Sequence, residues 1–317
     1  MKRHIICERD VGLFSLVQQV IANIPWALQE GRIPIALFTH RTCYFTGSCY
    51  RGRDTVWEYY FEPIMAAHPV ASIPQHLRTT ISSRHPDPNA PGYFADEHTF
   101  VSNHFGDHPD LDGKTLVIPY LLDDPPIALR NAAHQIIRQF IVPREYVLRK
   151  AQRFFQQHLS RGDTIGVHVR GTDAISAREI RPHRQNSLSL STYMAVIQEL
   201  VEVRPQAKIF VATDDEASLI AVREAFGARV VAYDSIRHAG GDAAGSGPTG
   251  WIMPAYISAD RDRAARNGEE AIVEYLLLSS CDYLVHNGSS LARTVLLNKP
   301  ELMHTNTRRA LQTLTHT

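Results

Sequence analysis

Thr164-Ile165-Gly166-Val167-His168-Val169-Arg170-Gly171-Thr172-Asp173 is the stretch on which the fold turns. Ile165 to Val169 is a short apolar run of the kind a buried strand needs. It ends abruptly in a cation, a glycine, a hydroxyl and a carboxylate. In open α/β folds, ligands sit at the carboxyl ends of parallel strands. An arginine at such an end can grip an anionic oxygen with a planar fork of donors. Gly171 lets a ligand or backbone come close. The alternative is a strand whose last charges merely face water.

Working outward, the second half of the chain alternates strand and helix. After strand 165–170, a loop rich in Arg, Pro, His and Ser leads to a helix from Thr192 to Val203, with Ser191 as expected N-cap. Then follow strand 208–213, helix 217–226 and strand 229–233. A long loop, 236–266, is either disordered or functional at that length. Asn267-Gly268-Glu269-Glu270 reads as a helix start with its N3 acid. Strand 283–286, helix 289–297 and strand 301–304 complete the series. Such alternation predicts a parallel sheet covered on both faces.

The first third reads as another α/β unit. Ile5-Ile6-Cys7 is a strand, and residues 13–30 form a helix with Leu16, Val20, Ile24 and Leu28 on one face. Ile33 to Phe38 is the next strand, and Trp57 to Pro63 an aromatic cluster on a short helix. Residues 70–115 read as loops, 116–121 as a strand and 143–159 as a helix. The turn Ser160-Arg161-Gly162-Asp163 suggests a boundary, giving domains 1–160 and 161–317.

Composition narrows the function classes. With 317 residues, 44% apolar and 21% charged, the chain has material for a sizeable core. Its 33 basic and 33 acidic residues cancel, so bulk electrostatics gives no reason to expect a nucleic-acid or anionic-membrane partner. An anionic ligand must be met by a local set of donors. The amino terminus lacks a secretory pattern, and no run approaches the roughly 20 apolar residues of a membrane helix. Cys7, Cys43, Cys49 and Cys281 are too few and scattered for a disulfide framework. Cys43 and Cys49 could pair across their loop, but idle thiols are the expectation. The expected compartment is the cytoplasm.

If the C-terminal sheet is parallel, one edge collects Arg170, Gly171, Thr172 and Asp173 from one strand. It also collects Thr213, Asp214 and Asp215 from a second, and Asn287, Gly288, Ser289 and Ser290 from a third. Arg170 can neutralise a phosphate, and Ser289 and Ser290 stand at a helix start, where hydroxyls and backbone N–H groups hold one. Carboxylates accept from sugar hydroxyls or from a base presenting N–H donors. Each residue also has a purely structural use. Asp214, Asp215 or Ser289 could only cap a helix, His168 could be a core histidine, and Asp173 could only pair with Arg170. The joint arrangement favours a ligand site.

Together these pieces resemble the α1,6-fucosyltransferase family, including the rhizobial nodulation-factor fucosyltransferases, and the wider GDP-fucose-dependent α1,2- and O-fucosyltransferases. His168-Val169-Arg170-Gly171-Thr172-Asp173 is similar to the family's His-Val-Arg-Arg-Thr-Asp. Val211 to Asp215 is similar to its Leu-Ala-Thr-Asp-Asp. Cys281 to Val285, followed by Ser289-Ser290-Leu291-Ala292-Arg293, is similar to its third segment. The N-terminal third is similar more loosely, through Gly12 to Leu16 and Phe61-Glu62-Pro63.

The resemblance implies two Rossmann-like lobes of the GT-B type with a cleft between them, acceptor in the first and nucleotide-sugar donor in the second. It implies an inverting, metal-independent transfer with GDP-sugar as donor substrate and no further cofactor. Arg170 would bind the β-phosphate with Ser290 or Ser289, and His168 would lie by the guanine. Glu274 stands where the family has an Asp that reads the guanine N–H groups. Gly171, Tyr193, Asp214 and Asp215 would shape the donor pocket. The base opposite the leaving group would be Asp173 or, second, Glu179. The acceptor would be a glycan or a small glycosylated metabolite.

Two departures bear on this. Gly171 replaces the family's second arginine, and Ala174 a lysine that often follows. Arg178, Arg181 or Arg184 could supply the missing charge. The loss keeps open a non-catalytic nucleotide- or glycan-binding protein on the same fold. A phosphate-ester hydrolase would need a nucleophile elbow or a metal cluster, and the sequence displays neither.

Overall fold

The computed structural model describes residues 1–84, 86–87, 90–104, 113–119, 124–170, 190–237 and 261–309. Gly171, Thr172, Asp173, Arg178, Glu179, Arg181, Arg184 and most of the 236–266 loop lie outside them. The chain divides into two compact units, Met1–Glu145 with Asp260–Glu269, and Tyr146–Ala259 with Glu270–Thr317. The change of unit thus falls at Glu145, earlier than the turn at 160, and one internal segment returns to the first unit.

The N-terminal unit holds a four-stranded sheet in the order β2-β1-β4-β3. β1 (Arg3–Cys7) pairs in parallel with β2 (Ile33–Leu37) and with β4 (Thr99–Ser102), and β3 (Tyr93–Asp96) runs antiparallel to β4. Helix α1 (Leu13–Gln29) connects β1 to β2 and carries Pro25 inside it. The short α2 (Val56–Tyr60) is wholly buried, with Trp57 stacked on Phe61 at 4.5 Å. Helices α3 (Gln75–Ser83) and α4 (Ile127–Phe140) complete the unit. The expected loop region therefore contains α3, β3 and β4. The expected strand at 116–121 is absent among its described residues, because the Leu116 N–H donates to Ala22 O of α1 instead of to a ladder.

In the C-terminal unit the sheet is fully parallel, ordered β7-β6-β5-β8-β9. Its strands are β5 (Thr164–Val169), β6 (Lys208–Thr213), β7 (Val230–Val231), β8 (Tyr283–His286) and β9 (Met303–Asn306). Every residue of β5 is buried, as the apolar run requires at a sheet centre covered on both faces. The helices are α5 (Glu145–His158), α6 (Leu190–Val203), α7 (Glu216–Phe226), the second half of α8 (Arg261–Leu278) and α9 (Ser290–Asn298). Ser191 lies within α6 and does not cap it. Ile165, Val167 and Val169 pack with Tyr193, Ile197, Ile209, Val211 and Val285 into one core. Asp282 locks the sheet's lower edge, since its Oδ2 accepts from Thr164 N at 2.9 Å and Thr164 Oγ at 2.8 Å.

The expected helix start at Asn267–Glu270 lies instead inside α8. Gly268 is there because of a close approach: a Cβ would meet Tyr60 Cζ at 2.7 Å and Tyr44 Cδ1 at 3.0 Å, and the Tyr60 hydroxyl closer still. Glu269, fully buried, accepts from Tyr50 OH at 2.6 Å and pairs with Arg51 at 3.4 Å, so its carboxylate serves tertiary packing.

Candidate functional site

The registers of the parallel sheet bring the sequence-selected residues to one edge. Val169 pairs with Thr213 and Val167 with Val285, so Arg170, Asp214 and the residues after His286 leave neighbouring strands at the same end. A hydrogen bond ties two of these ends together: His168 Nδ1 and Ser289 Oγ lie 3.0 Å apart. Arg170 follows His168 by two residues. Its Nε lies 4.0 Å from Asp214 Oδ2, and both side chains remain partly open to solvent, at 29% and 17%.

The adjacent carboxylates have separate uses. Asp215 caps α7, accepting from Ser218 N at 2.8 Å and Ser218 Oγ at 2.6 Å. Asp214 faces Arg170. The serines divide similarly. Ser289 caps α9 by accepting from Ala292 N at 3.2 Å, while Ser290 Oγ accepts from the Arg293 guanidinium at 3.0 Å. The turn before them is held by His286, whose Nδ1 accepts from Gly288 N at 2.9 Å. That acceptor role puts the ring proton on Nε2, which donates to His304 Nδ1 at 2.9 Å. Gly288 has φ +75°, a conformation open to glycine at little cost. The arrangement is a helix N-terminus with oriented N–H groups near a cation, a setting suited to an oxyanion.

Tyr193 is 1% exposed and supports the site from the core. Its hydroxyl donates to the His168 carbonyl at 3.1 Å, and burial pushes its pKa up, so it stays a donor.

Glu274, on α8, is 8% exposed. Its Oε1 accepts from Ser235 Oγ at 2.6 Å and lies 4.0 Å from Arg237. Among the described residues no hydrogen bond reaches Oε2. Burial raises its pKa to about 7, Glu270 and Asp214 push the same way, and Ser235 and Arg237 pull it down. Sequence reasoning missed Ser235, Arg237 and His286, and named Arg293 only as the end of the third similar segment. A cation a few residues past a strand was a signal for Arg237, as it was for Arg170. Nothing in the chain order links Arg237 to Glu274.

No family model matches the sequence, and no curated protein sequence matches it. Solved structures do. The chain is similar in fold to fucosyltransferases. The NodZ α1,6-fucosyltransferase soaked with GDP-fucose aligns over 96% of this chain and 93% of its own, with a TM-score of 0.56 and 18% identity. POFUT1 in complex with GDP aligns over 96% of both chains, with a TM-score of 0.55 and 14% identity. A variant of Arabidopsis thaliana FUT1 in complex with GDP aligns over 94% of this chain and 68% of its own, at 0.54 and 11%. The α/β fold with parallel sheets is thus shared with these enzymes. No helix among the described residues is long and apolar enough to cross a membrane.

Proposed function

We propose that this protein is a glycosyltransferase that transfers L-fucose from GDP to an acceptor hydroxyl on a glycan or a glycosylated metabolite. The observation that carries the reading is the junction of β5 with α9: Arg170 leaves β5 two residues after His168, whose Nδ1 is bonded to the Ser289 cap of α9. Similar folds have been crystallised with GDP or GDP-fucose, which supports a nucleoside diphosphate as the anion.

In this reading the leaving diphosphate develops negative charge as the glycosidic bond breaks. Arg170, the α9 N-terminus and Ser290 meet that charge, so no metal ion is called upon. Transfer proceeds with inversion, the acceptor hydroxyl attacking opposite the diphosphate while a carboxylate takes its proton. Asp173 is assigned that base, with Glu179 as second choice. His168 and Glu274 meet the base moiety, the Glu274 carboxylate accepting guanine N–H donors, while Asp214 orients Arg170. The C-terminal unit is the donor side and the N-terminal unit the acceptor side.

A thermal-shift screen of GDP-, UDP- and dTDP-sugars, followed by calorimetry with GDP and a GDP-fucose hydrolysis assay, tests this. Selective stabilisation by GDP compounds together with slow donor hydrolysis is expected. Tight GDP binding without turnover of any GDP-sugar would favour the non-catalytic binder, a reading kept by glycine at position 171 in place of an arginine. Absence of GDP binding would reject both.

A further inference from the structure

The turn after β7 is pinned to α8 at two points. Ser235 Oγ donates to Glu274 at 2.6 Å, and Ile236 N donates to Glu270 at 2.8 Å. Arg237 clasps the same turn from inside, donating to the carbonyls of Ser235, at 3.2 Å, and Tyr233. Its side chain is only 9% exposed and lies 3.9 Å from Glu216, in the first turn of α7, and 4.0 Å from Glu274. A guanidinium so far from water interacts strongly with carboxylates around it. Three other acids crowd this edge: Glu270 on α8 and Asp214 after β6 raise the proton affinity of Glu274, and Glu216 shares the arginine. Arg237 is the cation beside Glu274 and Glu216, as Arg170 is beside Asp214.

We propose that Arg237 is a positioning residue for nucleotide selectivity: it holds the Tyr233–Arg237 turn against α8 and presents the Glu274 carboxylate as an acceptor for the paired N–H donors of a purine base. The inference rests on the reading that Glu274 meets the base of a bound nucleotide. Its chemistry is specific. A carboxylate accepts from both guanine N1–H and the 2-amino group, whereas a protonated acid offers a donor where guanine also offers donors. Hypoxanthine lacks the 2-amino group. The preference for GDP over inosine diphosphate therefore reports on Glu274 as an acceptor.

The test is calorimetry of the full chain with GDP and with inosine diphosphate between pH 5.5 and 8.5. The wild type should favour GDP above pH 7 and lose that preference below it. R237M should move the midpoint up by about one pH unit and cut the preference at pH 7 by about fivefold. R237K, which keeps the charge, should stay near the wild type. If R237M does not fold, S235A removes the hydroxyl on Glu274 and should shift the midpoint in the same direction. Equal weakening of both nucleotides at every pH would make Arg237 a fold residue only and overturn the proposal, as would no change. A wild type that binds neither nucleotide would bring down the underlying reading, an outcome separate from either of these.

Discussion

Arg170, just past β5, and Glu274, on α8, are ionisable side chains held in place for opposite reasons. Arg170 keeps about a third of its surface open beside Asp214, ready to meet an anion. Under the proposed reading its charge would act most where negative charge develops, and so would stabilise the transition state more than the bound donor. Arg170→Ala should lower kcat by about 100-fold with circular dichroism and melting unchanged, measured by steady-state transfer or donor hydrolysis. Near-normal turnover would reject its assignment. Glu274 instead carries a burial penalty on its charged form, with its pKa raised to about 7. An acid whose folded pKa lies above its unfolded value loses stability as pH rises between the two, here from about 4.5 to about 7. Glu274→Gln should therefore stabilise the protein by about 1–3 kcal/mol at pH 8 and by little at pH 4, read by urea denaturation at both values. A gain equal at both pH values would show that ionisation is not its source.

Helix α8 shows how an element escapes its local signals. Asn267-Gly268-Glu269-Glu270 has the letters of a helix start, yet the helix begins at Arg261 and runs through them. The cap residues were drawn off by tertiary partners. Gly268 makes room for Tyr60, whose hydroxyl donates to Ala265 O at 2.7 Å, and Glu269 is held by Tyr50. Gly268→Ala should destabilise by about 1–3 kcal/mol despite alanine's better helix propensity. Adding Tyr60→Phe should recover part of that loss, so a double-mutant cycle by chemical denaturation should give non-additive energies. Additivity would show that the two side chains do not share this space. α7 and α9 behave in the opposite way. Asp215 and Ser289 cap them as their sequences suggest, because a cap needs only its own first turn.

At the scale of the whole molecule, the zero net charge leaves binding of an anion to local donors. GDP should therefore leave a confined footprint in hydrogen exchange. Slower exchange is expected at Arg170, Asp214, Tyr233–Arg237 and Gly288–Arg293, with β1 to β4 unchanged. Protection centred on β1 and β2 instead would move the nucleotide to the N-terminal unit. The chain's own text determined the parallel C-terminal sheet, the strand ends that meet at its edge and the two helix caps. Apolar runs, strand–helix alternation and capping are short-range, and parallel pairing then forces neighbouring strand ends together. Tertiary structure alone decided which carboxylate does what. Asp214 faces an arginine while Asp215 caps, and Glu274 is drawn to Ser235 and Arg237 from the distant turn after β7. It also decided the third and fourth strands of the first sheet, hidden in a polar stretch. The reason is physical: burial, register and the proton affinity of a carboxylate depend on neighbours brought in from distant positions, and local residue order does not encode that distance.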